Sequence, residues 1–156
     1  MRFLKPTLVL FISVILFVSC SSDDAPSQPN ESAQVIGSYT LSAVNINQAQ
    51  DVNEDGTAST NLLDEMNCIT GTLAINTDNS WSLNVIRVNV TDITGGLFFI
   101  ACGDSDSSKG TWTFSNNQLS LNGSFEPTIY VLNGDTLTRQ IGEDLPSFQS
   151  FAYTKN

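Results

Sequence analysis

From residue 35 onward the chain is written mostly in period two, with apolar positions separated by single polar ones. Such alternation puts every second side chain on one face of an extended segment, so it predicts half-buried β-strands. The clearest case covers residues 110–122. Trp112 and Phe114 alternate with Thr111, Thr113 and Ser115; Asn116-Asn117 intervenes; Leu119 and Leu121 then flank Ser120. Asparagine tolerates positive φ, so Asn116-Asn117 suits a type I′ hairpin turn. The register this implies sets Phe114 opposite Leu119 and Trp112 opposite Leu121, all on one face. A second hairpin is expected at Asn133-Gly134, between strands at 129–132 and 136–141. A third is expected at Thr77-Asp78-Asn79, joining Leu73 and Ile75 to Trp81 and Leu83. Its outgoing strand continues through Val85, Ile86, Val88 and Val90. Apolar parity shifts between Val85 and Ile86, which predicts a β-bulge there. Further strands are expected at 39–46, 97–101 and 148–153.

One stretch reads as helical, Asn61-Leu-Leu-Asp-Glu-Met66, with Ser59 or Thr60 as its cap. No repeat at a solenoid period is present. The pattern therefore predicts an all-β domain: a single antiparallel up-and-down β-barrel of about eight strands with one short helix. Closure of such a meander removes its unpaired edges. A β-sandwich is the alternative, because its strands have similar spacing.

The N-terminal segment is written differently. An uncharged apolar run, residues 7–18, follows Arg2 and Lys5 and ends at Phe17-Val18-Ser19-Cys20. It is too short for the ~20 residues that a membrane-spanning helix needs, and it has the layout of a secretory signal. It resembles bacterial lipoprotein signals, whose box reads Leu-small-small-Cys. The resemblance implies cleavage of residues 1–19, lipid on Cys20, and attachment to a bilayer through that acylated residue. Several acyl chains hold firmly, since each buried methylene contributes ~0.8 kcal/mol. Ser21 after Cys20, and the acidic run Ser22-Asp23-Asp24, resemble signals that send lipoproteins to the outer membrane of a Gram-negative bacterium and on to its exterior face. Residues 20–34 then read as a disordered tether with two prolines and almost nothing to bury, and 35–156 as the folded domain.

Composition narrows the chemistry. The chain carries 16 acids, six Lys and Arg, and a net charge of −10. After cleavage only Arg87, Lys109, Arg139 and Lys155 are basic, and they are dispersed, which excludes a nucleic-acid-binding patch. The chain has no histidine, so it lacks the usual general base and the commonest zinc ligand. Gly103-Asp104-Ser105 resembles a hydrolase nucleophile motif only in its letters and reads as a loop. No catalytic residue can be named, and the expectation is a non-enzyme that needs no cofactor. With Cys20 lipidated, Cys68 and Cys102 remain in an exported chain. A disulfide between them is expected, the alternative being two free thiols.

Several features of the domain resemble the lipocalin-like domain of bacterial lipoproteins. They are Gly37-Ser-Tyr39-Thr-Leu41, the stretch from Asp51 to Glu65 followed by Cys68, then Leu73-Ala-Ile-Asn-Thr-Asp78, Cys102 and Gly110-Thr-Trp112. Tyr39 stands where that family usually has tryptophan, and Asn79 where it often has a turn glycine. The resemblance implies a lipocalin-like barrel and no defined reaction or single ligand.

Two candidate sites remain. Asp51, Asn53, Asp55, Thr57 and Ser59 fall at positions 1, 3, 5, 7 and 9 of an EF-hand-type loop, with Gly56 at position 6, which makes calcium a candidate ion. Position 12, where a bidentate glutamate belongs, is Leu62. The competing reading is an acidic loop held by Asx-turns. Trp81, Trp112 and Phe114, with Arg87 and Arg139 at a barrel mouth, are candidates to line a cavity for a small or partly apolar molecule. The competing reading is a filled aromatic core and surface-paired arginines. Binding by a membrane-anchored module is one functional expectation; a structural or interaction component of the cell envelope is the alternative. The sequence leaves the oligomeric state open.

Overall fold

The computed structural model describes residues 31–94, 98–123, 126–142 and 148–156. The signal segment, Cys20 and the tether as far as residue 30 lie outside the described residues. Nine strands form one sheet: β1 Gly37–Gln50, β2 Ser59–Asn61, β3 Gly71–Ile75, β4 Ser80–Asp92, β5 Phe98–Ser115, β6 Gln118–Asn122, β7 Thr128–Asn133, β8 Thr136–Gln140 and β9 Phe148–Lys155. Every pairing is antiparallel, and neighbours in space follow chain order from β3 to β9. β1 pairs with β3 on one side and β9 on the other. That contact closes an eight-stranded barrel and excludes the sandwich. β2 lies outside the ring, added to the second half of β1, where Asn45 faces Asn61 and Gln50 faces Ser59.

The hairpin at Asn116-Asn117 has the expected register: Phe114 faces Leu119, Trp112 faces Leu121, and both asparagines have positive φ. The Thr77-Asp78-Asn79 turn is also present. Asn79 adopts φ 63°, the Asp78 carboxylate accepts from the Ser80 amide at 3.0 Å, and Ile75 faces Trp81.

Five expectations shift. The β7–β8 turn is Gly134-Asp135 and not Asn133-Gly134, because Asn133 pairs with Thr136 and Leu132 with Leu137. The expected turn would have set Asp135 opposite buried Leu132, so burial of two facing leucines overrides the local Asn-Gly signal. The bulge falls at Arg87, between Ile86 and Val88, one residue later than parity suggested. The helix, α1, is Leu62–Glu65, and its cap is Asn61, whose side chain accepts from the Leu63 amide; the same oxygen takes the Val44 amide at 3.0 Å. Gly103-Asp104-Ser105 is no loop: it lies within the 18-residue strand β5. The last four tether residues, Glu31–Gln34, form a 3-10 turn, fastened by a bond from Lys155 Nζ to the Gln34 carbonyl.

The core is built on the inner face of the ring, from side chains at about every second position. Tyr39, Leu73, Leu119 and Leu137 have no exposed surface, and Trp81 and Trp112 are buried among them. Beyond the Arg87 bulge, β4 and β5 continue together as a two-stranded arm. Its residues Val88, Val90, Phe98 and Ile100 pack on the same core.

Candidate functional site

The arm is held at two points. Cys102 forms the expected disulfide with Cys68, their Cα atoms 6.3 Å apart, so it is joined to the segment just after α1. At its start, the Phe98 amide donates to Gln50 Oε1 at 2.8 Å. Gln50 is buried, and its Nε2 has no hydrogen-bond partner among the described residues.

β5 is bonded to β6 only from Thr111, opposite Asn122, to Ser115, opposite Gln118. Before Thr111 the strand keeps β4 as its partner and parts from β6. A cleft of about 740 Å³ opens there, between residues 106–109 of β5 and the residues Gly123, Glu126 and Thr128, with Trp81 and Leu121 in its lining. Gly110 makes this arrangement possible. A Cβ at that position would collide with the Asn122 carbonyl and stand 2.9 Å from Trp81 Nε1. Across this gap the Trp81 indole N–H donates to the Asn122 carbonyl at 3.2 Å. Trp112 is anchored likewise, donating to the Asn76 carbonyl at 3.0 Å. Both indoles therefore spend their one donor on the scaffold and present only apolar surface.

The strand register shows which side chains face inward. Trp81 faces Gly110, Leu83 faces Ser108 and Val85 faces Asp106, so all six belong to the inner face. Trp81 is buried, Leu83 and Val85 are half-buried, and Ser108 and Asp106 are exposed. The interior is thus packed at one level and wet at another. A second cleft, about 420 Å³, is lined by Leu41, Ile69, Gly71, Val85 and Asp106 among others. On β8, across the ring, Arg139 shares the inner face with buried Leu137 and Ile141, yet is itself exposed.

Of the residues expected to line a cavity, Trp81 and Trp112 form packed interior and Phe114 is half-buried against it. Arg87 is exposed at the bulge where the arm begins. Neither arginine forms an ion pair with a carboxylate among the described residues. Sequence reasoning missed Tyr130 and Tyr153, whose rings meet edge to face with centroids 6.0 Å apart. Burial raises both phenols above their ordinary pKa, and the Arg139 charge pulls in the opposite direction. Tyr130 sits in the continuous apolar run 129–132, which shows no inward face by alternation, and only the fold puts both tyrosines on the strands that flank Arg139. Tyr39 has a separate role: its hydroxyl donates to the Val35 carbonyl at 2.8 Å, and burial, with Asp135 adding to it, pushes its pKa up to about 12.

The Asp51 loop is exposed and bonded to itself. Asp51 accepts from the amides of Asp55 and Gly56, Asn53 from Asp55, and Asp55 from Thr57. Ser59 donates to Asp64. Leu62, at the twelfth position, is fully buried; Glu65 is buried too, and it accepts from the Val52 amide at 2.9 Å. Among the described residues no group of three or more Cys, Asp or Glu is arranged to hold a metal ion, and no helix is long and apolar enough to cross a membrane.

Fold and site together define an eight-stranded antiparallel barrel with a disulfide-pinned arm and a partly open interior. No family model, curated protein or solved structure matches the chain.

Proposed function

We propose that this is an outer-membrane lipoprotein, anchored through Cys20 and facing the cell exterior, whose lipocalin-like barrel binds a small, partly apolar molecule without turnover. The observation that carries this reading is the half-filled interior. Inward positions such as Leu83, Val85, Ser108 and Arg139 retain exposure on the same inner face as the buried Trp81, Leu121 and Tyr153. An apolar floor with a few polar groups at its rim is the usual composition of a small-molecule site. The packed floor also supports a second reading, a structural component of the envelope, in which the remaining openings are surface relief.

Titration separates the two. An apolar probe entering the barrel is expected to change tryptophan emission saturably, since Trp81 lines the cleft, and to raise the melting temperature by mass action. A panel of lipids, haem-like compounds and oligosaccharides that moves neither signal would leave the structural reading in place. Anchoring has its own test. Cys20→Ser protein is expected in the soluble fraction after cell lysis, and wild-type protein in the membrane fraction. Wild-type protein on intact cells should be cut by added protease; resistance until lysis would contradict the outward orientation.

A further inference from the structure

Arg139 stands out among the inward-facing residues. Leu137, Arg139 and Ile141 alternate along one face, and Leu137 and Ile141 are buried. Arg139 lies opposite Phe151, and Leu137 opposite Tyr153, which makes Tyr153 the diagonal neighbour of the arginine. One step beyond the Val131–Thr138 pair, Tyr130 lies alongside it on β7. The charge is felt by both phenols, so the register and the electrostatics agree on one cluster.

Among the described residues its hydrogen-bonding capacity is unspent. Tyr130 and Tyr153 are each only 3% exposed. Neither hydroxyl has a hydrogen-bond partner among the described residues. Neither oxygen is sealed from solvent either, since Gln50 Nε2 is the single sealed and unpartnered side-chain atom there. Both hydroxyls therefore border accessible space. Beside them stands a guanidinium with five donors and no carboxylate partner among the described residues, in a chain of net charge −10. Among the described residues it pairs with none of the acids, and the register sets it on the inner face with Leu137 and Ile141.

We infer that Arg139, Tyr130 and Tyr153 form a seat for a single carboxylate, and that the ligand is a monoanionic amphiphile whose apolar body lies against Leu83, Val85 and Phe151. The guanidinium fork matches a planar carboxylate bidentately, and each phenol can donate one more bond to its oxygens. The inward Asp106 on the opposite wall disfavours a second negative group and thus a dianionic head. This inference rests on the small-molecule reading above and specifies its ligand class.

The test uses the whole domain with laurate and dodecanol, which share a chain and differ in the head, each titrated by calorimetry and by thermal shift. Wild-type protein is expected to prefer laurate. Arg139→Gln should weaken laurate about tenfold or more, the scale of a lost charge-assisted bond, and leave dodecanol unchanged. Tyr130→Phe and Tyr153→Phe should each cost less, and Arg139→Lys should recover part of the loss. Because Arg139 is exposed, Arg139→Gln should melt at the wild-type temperature without ligand. If both ligands bind wild-type protein equally and Arg139→Gln changes neither, the carboxylate seat is overturned and the apolar site stands. If neither ligand binds wild-type protein, the small-molecule reading falls and the seat falls with it.

Discussion

Gly110→Ala should cost about 3 kcal/mol or more of unfolding free energy, measured by urea denaturation of the soluble domain. The added methyl meets the Asn122 carbonyl, which is backbone, and lies 2.9 Å from the Trp81 indole nitrogen. Neither can give way cheaply. Asn122 is held in register by Thr111, and the indole is held by its bond to that same carbonyl. Overpacking of well-packed sites typically costs 1–3 kcal/mol, and here loss of the indole bond adds to the collision. Gly123→Ala is the control. A Cβ there would stand 3.5 Å from the Trp81 ring, an ordinary contact, so its effect should stay within about 0.5 kcal/mol. The two glycines flank one tryptophan. Equal costs would show that the tight crossing at Gly110 is not what fixes Trp81.

Loss of the Cys68–Cys102 bridge should cost about 2–5 kcal/mol, the range for small secreted domains. The bridge spans 34 residues of sequence, for which the chain-entropy account gives about 4 kcal/mol. Location sharpens the expectation. The bridge fastens the arm to the segment after α1, while the barrel closes elsewhere, through β1 and β9. Reduction should therefore speed amide exchange first at residues 98–102 and only later at β6–β8. Uniform acceleration across the domain would mean that the arm and the barrel open as one unit.

The strands were legible because one face of each is buried and the other wet, so their period of two survives in the sequence. The turns at Asn79 and Asn116-Asn117 were legible because asparagine tolerates the positive φ they require. What stayed hidden depends on partners distant in sequence. The Gly134-Asp135 turn is set by the match of Leu132 to Leu137, which outweighs the dipeptide itself. Helix α1 takes Asn61 as its cap because that side chain also serves the Val44 amide on β1. Gly103-Asp104-Ser105 reads as a loop, yet it lies in a strand whose other edge is not bonded to β6 before Thr111. The candidate seat illustrates the same limit. Arg139 is conspicuous in the sequence by the scarcity of basic residues, but it is the β7–β8–β9 register that sets Tyr130 and Tyr153 around it.

Closure of the ring by β1 and β9 has a consequence for how the domain is made. Thr40 and Asn156 bond across a separation of 116 residues, whereas β3 to β9 pair in chain order. Bringing ends that far apart together costs about 4 kcal/mol of loop-closure entropy for a flexible chain. Hairpins such as β5–β6 incur little of that cost and can form first, shortening the effective loop before the seam is sewn. Until β9 is in place, both β1 and β8 present open edges, which are templates for pairing with another chain. The hazardous interval in this protein's life is therefore the one between synthesis of its first strand and docking of its last.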